Sequence, residues 1–168
     1  MRPGIFGWLL RFGTRRRSSP ELRRVRHQKS RIGIVLKDGT KSDLNACAFS
    51  SSTLIDLQIS DGGQGVLKNC RFSDSTEESL ILRGSGEMEV RNCDFQRCSA
   101  GIALAGNGTN AKILDSRFTE CGIGVKLLDS ASAILTQCRF ERNKTAGLFV
   151  MRDSETEVSD CVFQAQET

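Results

Sequence analysis

The sequence predicts an all-β chain: a single-stranded right-handed parallel β-helix solenoid of about six rungs, each 22–23 residues long. Three observations predict it. The triplet Cys-x-Phe recurs at Cys47-Ala48-Phe49, Cys70-Arg71-Phe72, Cys93-Asp94-Phe95, Cys138-Arg139-Phe140 and Cys161-Val162-Phe163, with Ser116-Arg117-Phe118 as the one variant. Successive Phe positions lie 23, 23, 23, 22 and 23 residues apart. Inside each repeat the apolar residues alternate with a period of two, the spacing of strands rather than helices.

Each part of the repeat has a physical role. Five residues before each Phe stands an aliphatic: Leu44, Leu67, Val90, Ile113, Leu135 and Val158. Seven to ten residues after it comes an apolar pair, such as Leu80/Leu82, Ile102/Leu104 and Val125/Leu127; Ile34/Leu36 is the same pair from a partial rung ahead of the first triplet. Turn-forming runs at residues 83–86, 105–108, 129–132 and 152–154 separate the strands. No run of ten residues has helical periodicity, which excludes leucine-rich, ankyrin and tetratricopeptide arrays. A coil of strands and turns climbs one strand spacing, about 4.8 Å, per rung. One rung cannot fold alone. Its apolar side chains contribute roughly 1.5–3 kcal/mol each when buried, while ordering its backbone costs about 1–2 kcal/mol per residue. Stacking is therefore obligatory, and stability is cooperative between neighbouring rungs.

The charge is asymmetric. Residues 1–31 hold ten Lys or Arg against the single acid Glu21, a net +9, whereas residues 32–168 carry −5. The expected division is a basic leader over 1–31 and the repeat domain over 32–168. Residues 4–10 are apolar but too short to span a bilayer, so no transmembrane segment is expected. Three readings of the leader stand open: an organellar transit peptide, a cap of residues 5–12 over the first rung, or a basic tail. Its Arg run lacks interleaved aromatics, so nucleic-acid binding there would be charge-driven and non-specific.

The strands Gly101-Ile102-Ala103-Leu104, Gly124-Val125-Lys126-Leu127 and Val90-Arg91-Asn92-Cys93-Asp94-Phe95 resemble those of the right-handed parallel β-helix superfamily, with its pectate-lyase-like and short-coil repeat members. The resemblance spans roughly residues 32–164. It implies a fold rather than an activity, because that superfamily holds polysaccharide lyases and hydrolases, periplasmic copper-associated proteins and intracellular recognition modules.

The candidate chemistry is sparse. Five of the seven cysteines share the inward position two before Phe and read as a stacked column of buried thiols; Cys98 and Cys121 form a second, shorter ladder. In-register stacking leaves their Cβ atoms too far apart for good disulfide geometry, so a reducing intracellular compartment, the cytoplasm, is expected. There is no C-x₂-C pair, and the only His is His27, so neither a metal nor another cofactor is expected. The outward residues of the apolar-pair strands are Val35, Gln58, Ile81, Ala103, Lys126 and Phe149, none acidic. Asp94 lies between Arg71 and Arg117 and reads as part of a cross-rung ion-pair ladder. The other acids, among them Glu87, Glu89, Glu155 and Glu157, are expected in turns. No catalytic residue is therefore assigned, although a carbohydrate-active enzyme of the pectate-lyase-like type remains a third reading.

Lys68, Arg71, Arg91, Arg117 and Arg139 are expected on one outer face, as a stripe of cations suited to an acidic protein or an anionic polysaccharide. The leading expectation is thus a non-catalytic binding or scaffold module. The alternative is a self-associating structural β-helix joined end to end, because the last rung carries no amphipathic cap.

Overall fold

In a computed structural model, residues 10–12 and 21–165 are described. They contain strands, turns and bends, and no helix. Every strand pairs in parallel with its counterpart one repeat away, giving three seven-stranded sheets in which strand order follows rung order. A representative rung consists of Glu78–Arg83 in the first sheet, Glu87–Arg91 in the second and Asp94–Gln96 in the third.

Register explains the core. Phe49, Phe72, Phe95, Phe118 and Phe140 are fully buried, and each is opposite the next across the third sheet. Their rings stack at 4.7–4.9 Å with interplanar angles of 2–8°. That distance is the strand spacing itself, so the ladder, rather than any intrinsic preference of paired rings, sets the face-to-face arrangement. Leu80 and Leu82 of the first sheet, Met88 and Val90 of the second and the corner residue Cys93 complete the rung's contribution to one continuous core.

The Val-x-Asn-Cys-x-Phe run is not one strand. It breaks at Asn92, whose φ is 50°, and Ala46, Asn69, Asp115, Gln137 and Asp160 adopt the same left-handed conformation in their rungs. Asn and Asp enter that region at low cost. Asn92 donates to Asn69 at 2.7 Å and Asn69 to Asn45 at 3.1 Å, so the corner carries an amide ladder. Cysteine follows at once, for a reason beyond size. Cys70 N–H donates to Cys93 Sγ at 3.4 Å, Cys93 N–H to Ser116 Oγ at 3.1 Å and Cys138 N–H to Cys161 Sγ at 3.3 Å. The corner N–H is served by the side chain one rung on, which must be small and must accept a hydrogen bond. Ser116 meets both requirements.

The repeat begins earlier than residue 32. Leu10–Phe12, Glu21–Arg23 and Arg26–Gln28 pair with the three strands of the next rung, so part of the expected basic leader is a rung. Leu22 and Val25 pack on the core while Arg23, Arg24 and Arg26 are exposed, so the charges decorate the outside. His27 occupies the Phe position, opposite Phe49, which removes the triplet that marks every later rung. The expected cap over residues 5–12 falls largely outside the described residues.

Candidate functional site

The five expected cations lie on two sheets rather than one face, because the corner ladder separates them. Lys68 and Arg91 end strands of the second sheet and are in register with each other. Arg71, Arg117 and Arg139 begin strands of the third, in the column Arg71, Asp94, Arg117, Arg139. All five are exposed. Together they border the Asn ladder from both sides as a basic ridge.

Two neighbouring charge ladders on the third side differ in an informative way. At its far corner, Asp74, Arg97, Glu120 and Arg142 alternate in sign. Arg97 holds Asp74 with two hydrogen bonds at 2.7 and 3.1 Å, and Arg142 holds Glu120 at 2.9 Å. The Arg97 guanidinium keeps the Asp74 carboxyl below the usual carboxylate range. On the ridge the alternation fails. Arg71 reaches Asp94 at 3.3 Å, as the sequence leads one to expect, but Arg117 then stands opposite Arg139. Arg139 turns to Glu141 at 3.3 Å, and Arg91 pairs with Glu89. No acid among the described residues pairs with Arg117 or Lys68.

The acids at 87, 89, 155 and 157 are not in turns. They point outward from the second-sheet strands Glu87–Arg91 and Glu155–Ser159, and they line a shallow groove of about 720 Å³ with Lys41, Asp43 and Lys112. The strand signal was masked because the inward residue ahead of the aliphatic varies in chemistry: Ser42, Gly65, Met88, Ala111, Ala133 and Thr156. Residues of the groove carry both signs with acids in excess.

One buried polar cluster escaped sequence reading altogether. Asp56 occupies the column held in other rungs by Gly33, Gly101, Gly124 and Gly147, and it is completely buried. The position faces the Phe column: a Cβ on Gly124 would lie 2.7 Å from Phe140 Cδ1 and 2.5 Å from the Gly147 carbonyl oxygen. The Asp56 carboxylate accepts hydrogen bonds from Ser52 Oγ and Ser75 Oγ, both buried. Burial holds its carboxyl above its ordinary value, against the opposing effects of those hydroxyls, of His27 and of Ser79. The available signal was the acid standing in the glycine's place in the Gly-Ile-x-Leu strand.

All seven cysteines are free thiols, six of them buried. Burial pushes Cys138 up to about 12, so it is a packed neutral thiol rather than a nucleophile. Cys121, whose thiol donates to the Phe95 and Thr119 carbonyl oxygens at 3.6 Å, is likewise raised, by the neighbouring Cys98 thiol and by burial. Among the described residues no group of three or more His, Cys, Asp or Glu side chains is placed to share a metal ion. Among the described residues no helix is long and apolar enough to cross a membrane.

No curated protein and no solved structure matched this chain. The family model described as the right-handed beta helix region matches residues 13–163, which is most of the chain and all but the first strand of the solenoid. With three parallel sheets in rung register, that match makes the chain a member of the right-handed β-helix family.

Proposed function

We propose that this chain is a non-catalytic binding module that holds an acidic protein segment or anionic polymer along the ridge formed by Lys68, Arg71, Arg91, Arg117 and Arg139. The observation that carries the reading is the like-charged pair Arg117 and Arg139, in register across one rung step. Like charges directly opposite are unfavourable in a sheet, and the adjacent ladder through Asp74 and Glu120 shows the self-neutralised alternative in the same rungs. An external anion bridging the two guanidiniums removes the repulsion and adds charge-assisted hydrogen bonds. The side chains of Arg71, Arg91 and Arg139 stay 70%, 45% and 47% exposed in their ion pairs, so they remain accessible to an exchange of partners. The acid-rich groove of the second sheet repels such a partner and so leaves the ridge as its seat. A column of unpaired thiols fits a reducing intracellular setting.

Immobilised poly-L-glutamate and heparin serve as probes. Reversing Arg117 and Arg139 together (R117E/R139E) is expected to weaken binding at least about tenfold, because two charge-assisted contacts are lost. The melting temperature should hold. The same charge change at Arg83 and Lys144, both exposed elsewhere, should leave binding intact. Equal weakening by the two pairs, or none by the first, rejects the ridge.

A second reading, end-to-end self-association, rests on a separate observation. Of the six exposed large apolar residues among those described, Val150, Met151, Val158, Val162 and Phe163 all lie in the last rung or its turn. Light scattering should then show mass rising with concentration, and Val162→Lys should return the chain to monomer. A constant monomer mass removes this reading. A carbohydrate-active enzyme draws least support, since Asp94 is engaged by Arg71.

A further inference from the structure

The outer face of the second sheet carries a pattern that ion pairing within the chain leaves almost unused. Its strands alternate inward and outward residues, and the middle outward row runs Asp43, Val66, Glu89, Lys112, Ile134, Glu157, in register and one per rung. In chemical type the row is acid, apolar, acid, base, apolar, acid. Laid against its own reverse, it sets apolar on apolar and acid on base everywhere except at its two ends. Ile134 is 42% exposed, and among the described residues it is the one large exposed apolar side chain outside the last rung and its turn. Of the charges lining the groove only Glu89 enters an ion pair among the described residues, whereas the far corner of the third sheet neutralises itself. Such a face is built to meet its own copy.

We propose that the outer face of the second sheet is a dimer interface. A second copy packs on it face to face with its column antiparallel, about a two-fold axis that runs along the strands between Glu87–Arg91 and Asn110–Leu114. Val66 then meets the partner's Ile134, Glu89 meets the partner's Lys112 and, in the neighbouring row, Lys41 meets the partner's Glu155. Glu89 also stands beside Lys112 of its own chain, so the four charges around the axis form a square of alternating sign. Both copies climb by the same strand spacing, about 4.8 Å, so every match stays in step along the face. The strands of the two sheets run in one direction, which is the aligned mode of sheet packing. Other registers fail. Moving the axis by half a rung opposes Glu89 or Lys112 to itself, and moving it by a whole rung sets Val66 or Ile134 against a charge. The one like-charged meeting, Asp43 with the partner's Glu157, lies at the rim beside the Lys41 pair. Six rungs of five-residue strands span about 29 by 16 Å, so the two copies together bury on the order of 1,000 Å². That is the lower end for a specific interface, so the dimer depends on concentration. Arg117 and Arg139 lie on the third sheet, outside this face, so the inference is independent of anion binding on the ridge. It also closes at two copies, whereas end-to-end stacking is open-ended.

Sedimentation equilibrium tests the contact in the full chain carrying Val162→Lys, a variant that end-to-end stacking alone leaves monomeric. From about 1 µM to about 1 mM it should pass from monomer to dimer and no further. In that background Glu89→Lys opposes like charges to Lys112 of the partner subunit, and Lys112→Glu does the same to the partner's Glu89. Each alone should weaken the dimer at least about tenfold. Mixed together, the two variants should pair again, because each supplies the charge that the other lacks. The chain carrying both reversals should dimerise as the unreversed chain does. Ile134→Ser adds no charge and should weaken the dimer as well. A mass that stays monomeric throughout overturns the proposal, as does growth past two copies. So do single reversals that leave the dimer unchanged, or a mixture that fails to pair. Should the reversals disturb the strands' far-ultraviolet dichroism, Ile134→Ser decides, and an unchanged dimer in that variant overturns the proposal.

Discussion

Phe95→Ala is expected to lower the stability of the solenoid by about 3–5 kcal/mol, a large part of the roughly 5–15 kcal/mol available to a domain of this size. Phe95 is completely buried and stacked on both faces, with Phe72 at 4.7 Å and Phe118 at 4.8 Å. Its strand, Asp94–Gln96, is only three residues long. The ring is therefore much of what couples the third sheet above to the third sheet below. In a stack whose stability is a sum of nearest-neighbour terms, a gap at mid-column weakens two interfaces at once. Phe163→Ala supplies the comparison, because Phe163 stacks only on Phe140 and is 45% exposed. Its loss should cost about 1 kcal/mol, a fraction of full burial. Urea titrations followed by dichroism measure both. The central variant should also show a broadened or split transition, as the two halves of the column uncouple. Equal, small losses at the two positions would show that the ring column merely fills space.

The period was legible because the residues that mark it are the ones the ladder forces to be alike. Phe stacks on Phe, and the corner thiol must both fit and accept a hydrogen bond, so both recur in the sequence. What the ladder leaves free was hidden. His27 serves in the Phe column of the first rung and breaks the pattern there, so that rung read as leader. The inward residues ahead of the aliphatic in the second sheet range from Gly65 to Met88, so Glu87 and Glu89 read as turn rather than strand. The left-handed residue at Asn92 folds one apparent strand into two, and the cationic stripe bends with it. Ion pairing was legible only where it ran between adjacent rungs in register, as for Arg71 and Asp94. The pairs Arg91–Glu89 and Arg139–Glu141 join next-but-one neighbours on one strand, and choosing between them and cross-rung partners requires the side chains themselves. Asp56 was least visible, since the groups that accommodate it lie 4 and 19 residues away and look like ordinary serines.

That buried carboxylate makes stability depend on pH in a definite sense. Because burial raises the folded-state value of Asp56 above its ordinary one, the folded chain holds this proton more tightly than the unfolded chain does. Its contribution is most favourable in acid, below the unfolded value of about 4. It diminishes as pH rises from there through the raised folded value, and is constant beyond. Asp56→Asn removes the ionisation while keeping an acceptor oxygen, so it should be more stable than the parent at neutral pH, with the difference closing toward pH ~4. The serine hydroxyls offset the burial of the charge. Ser75→Ala withdraws one charge-assisted hydrogen bond and should cost about 1.5–3 kcal/mol at neutral pH. In the Asp56→Asn background the same change should cost only about the 0.5–1.5 kcal/mol of a neutral hydrogen bond. The difference between the two costs is the coupling of Ser75 to the charge, obtained from four denaturation curves at each pH. Other titrating groups set the background slope, so the decisive quantity is the difference between parent and Asp56→Asn. A parent that gains stability over Asp56→Asn as pH rises would mean that the serine hydroxyls outweigh burial and favour the ionised form, and a Ser75→Ala cost that is the same in both backgrounds would mean that Ser75 is not coupled to the charge; either result overturns the account given for this column, where four other rungs have glycine.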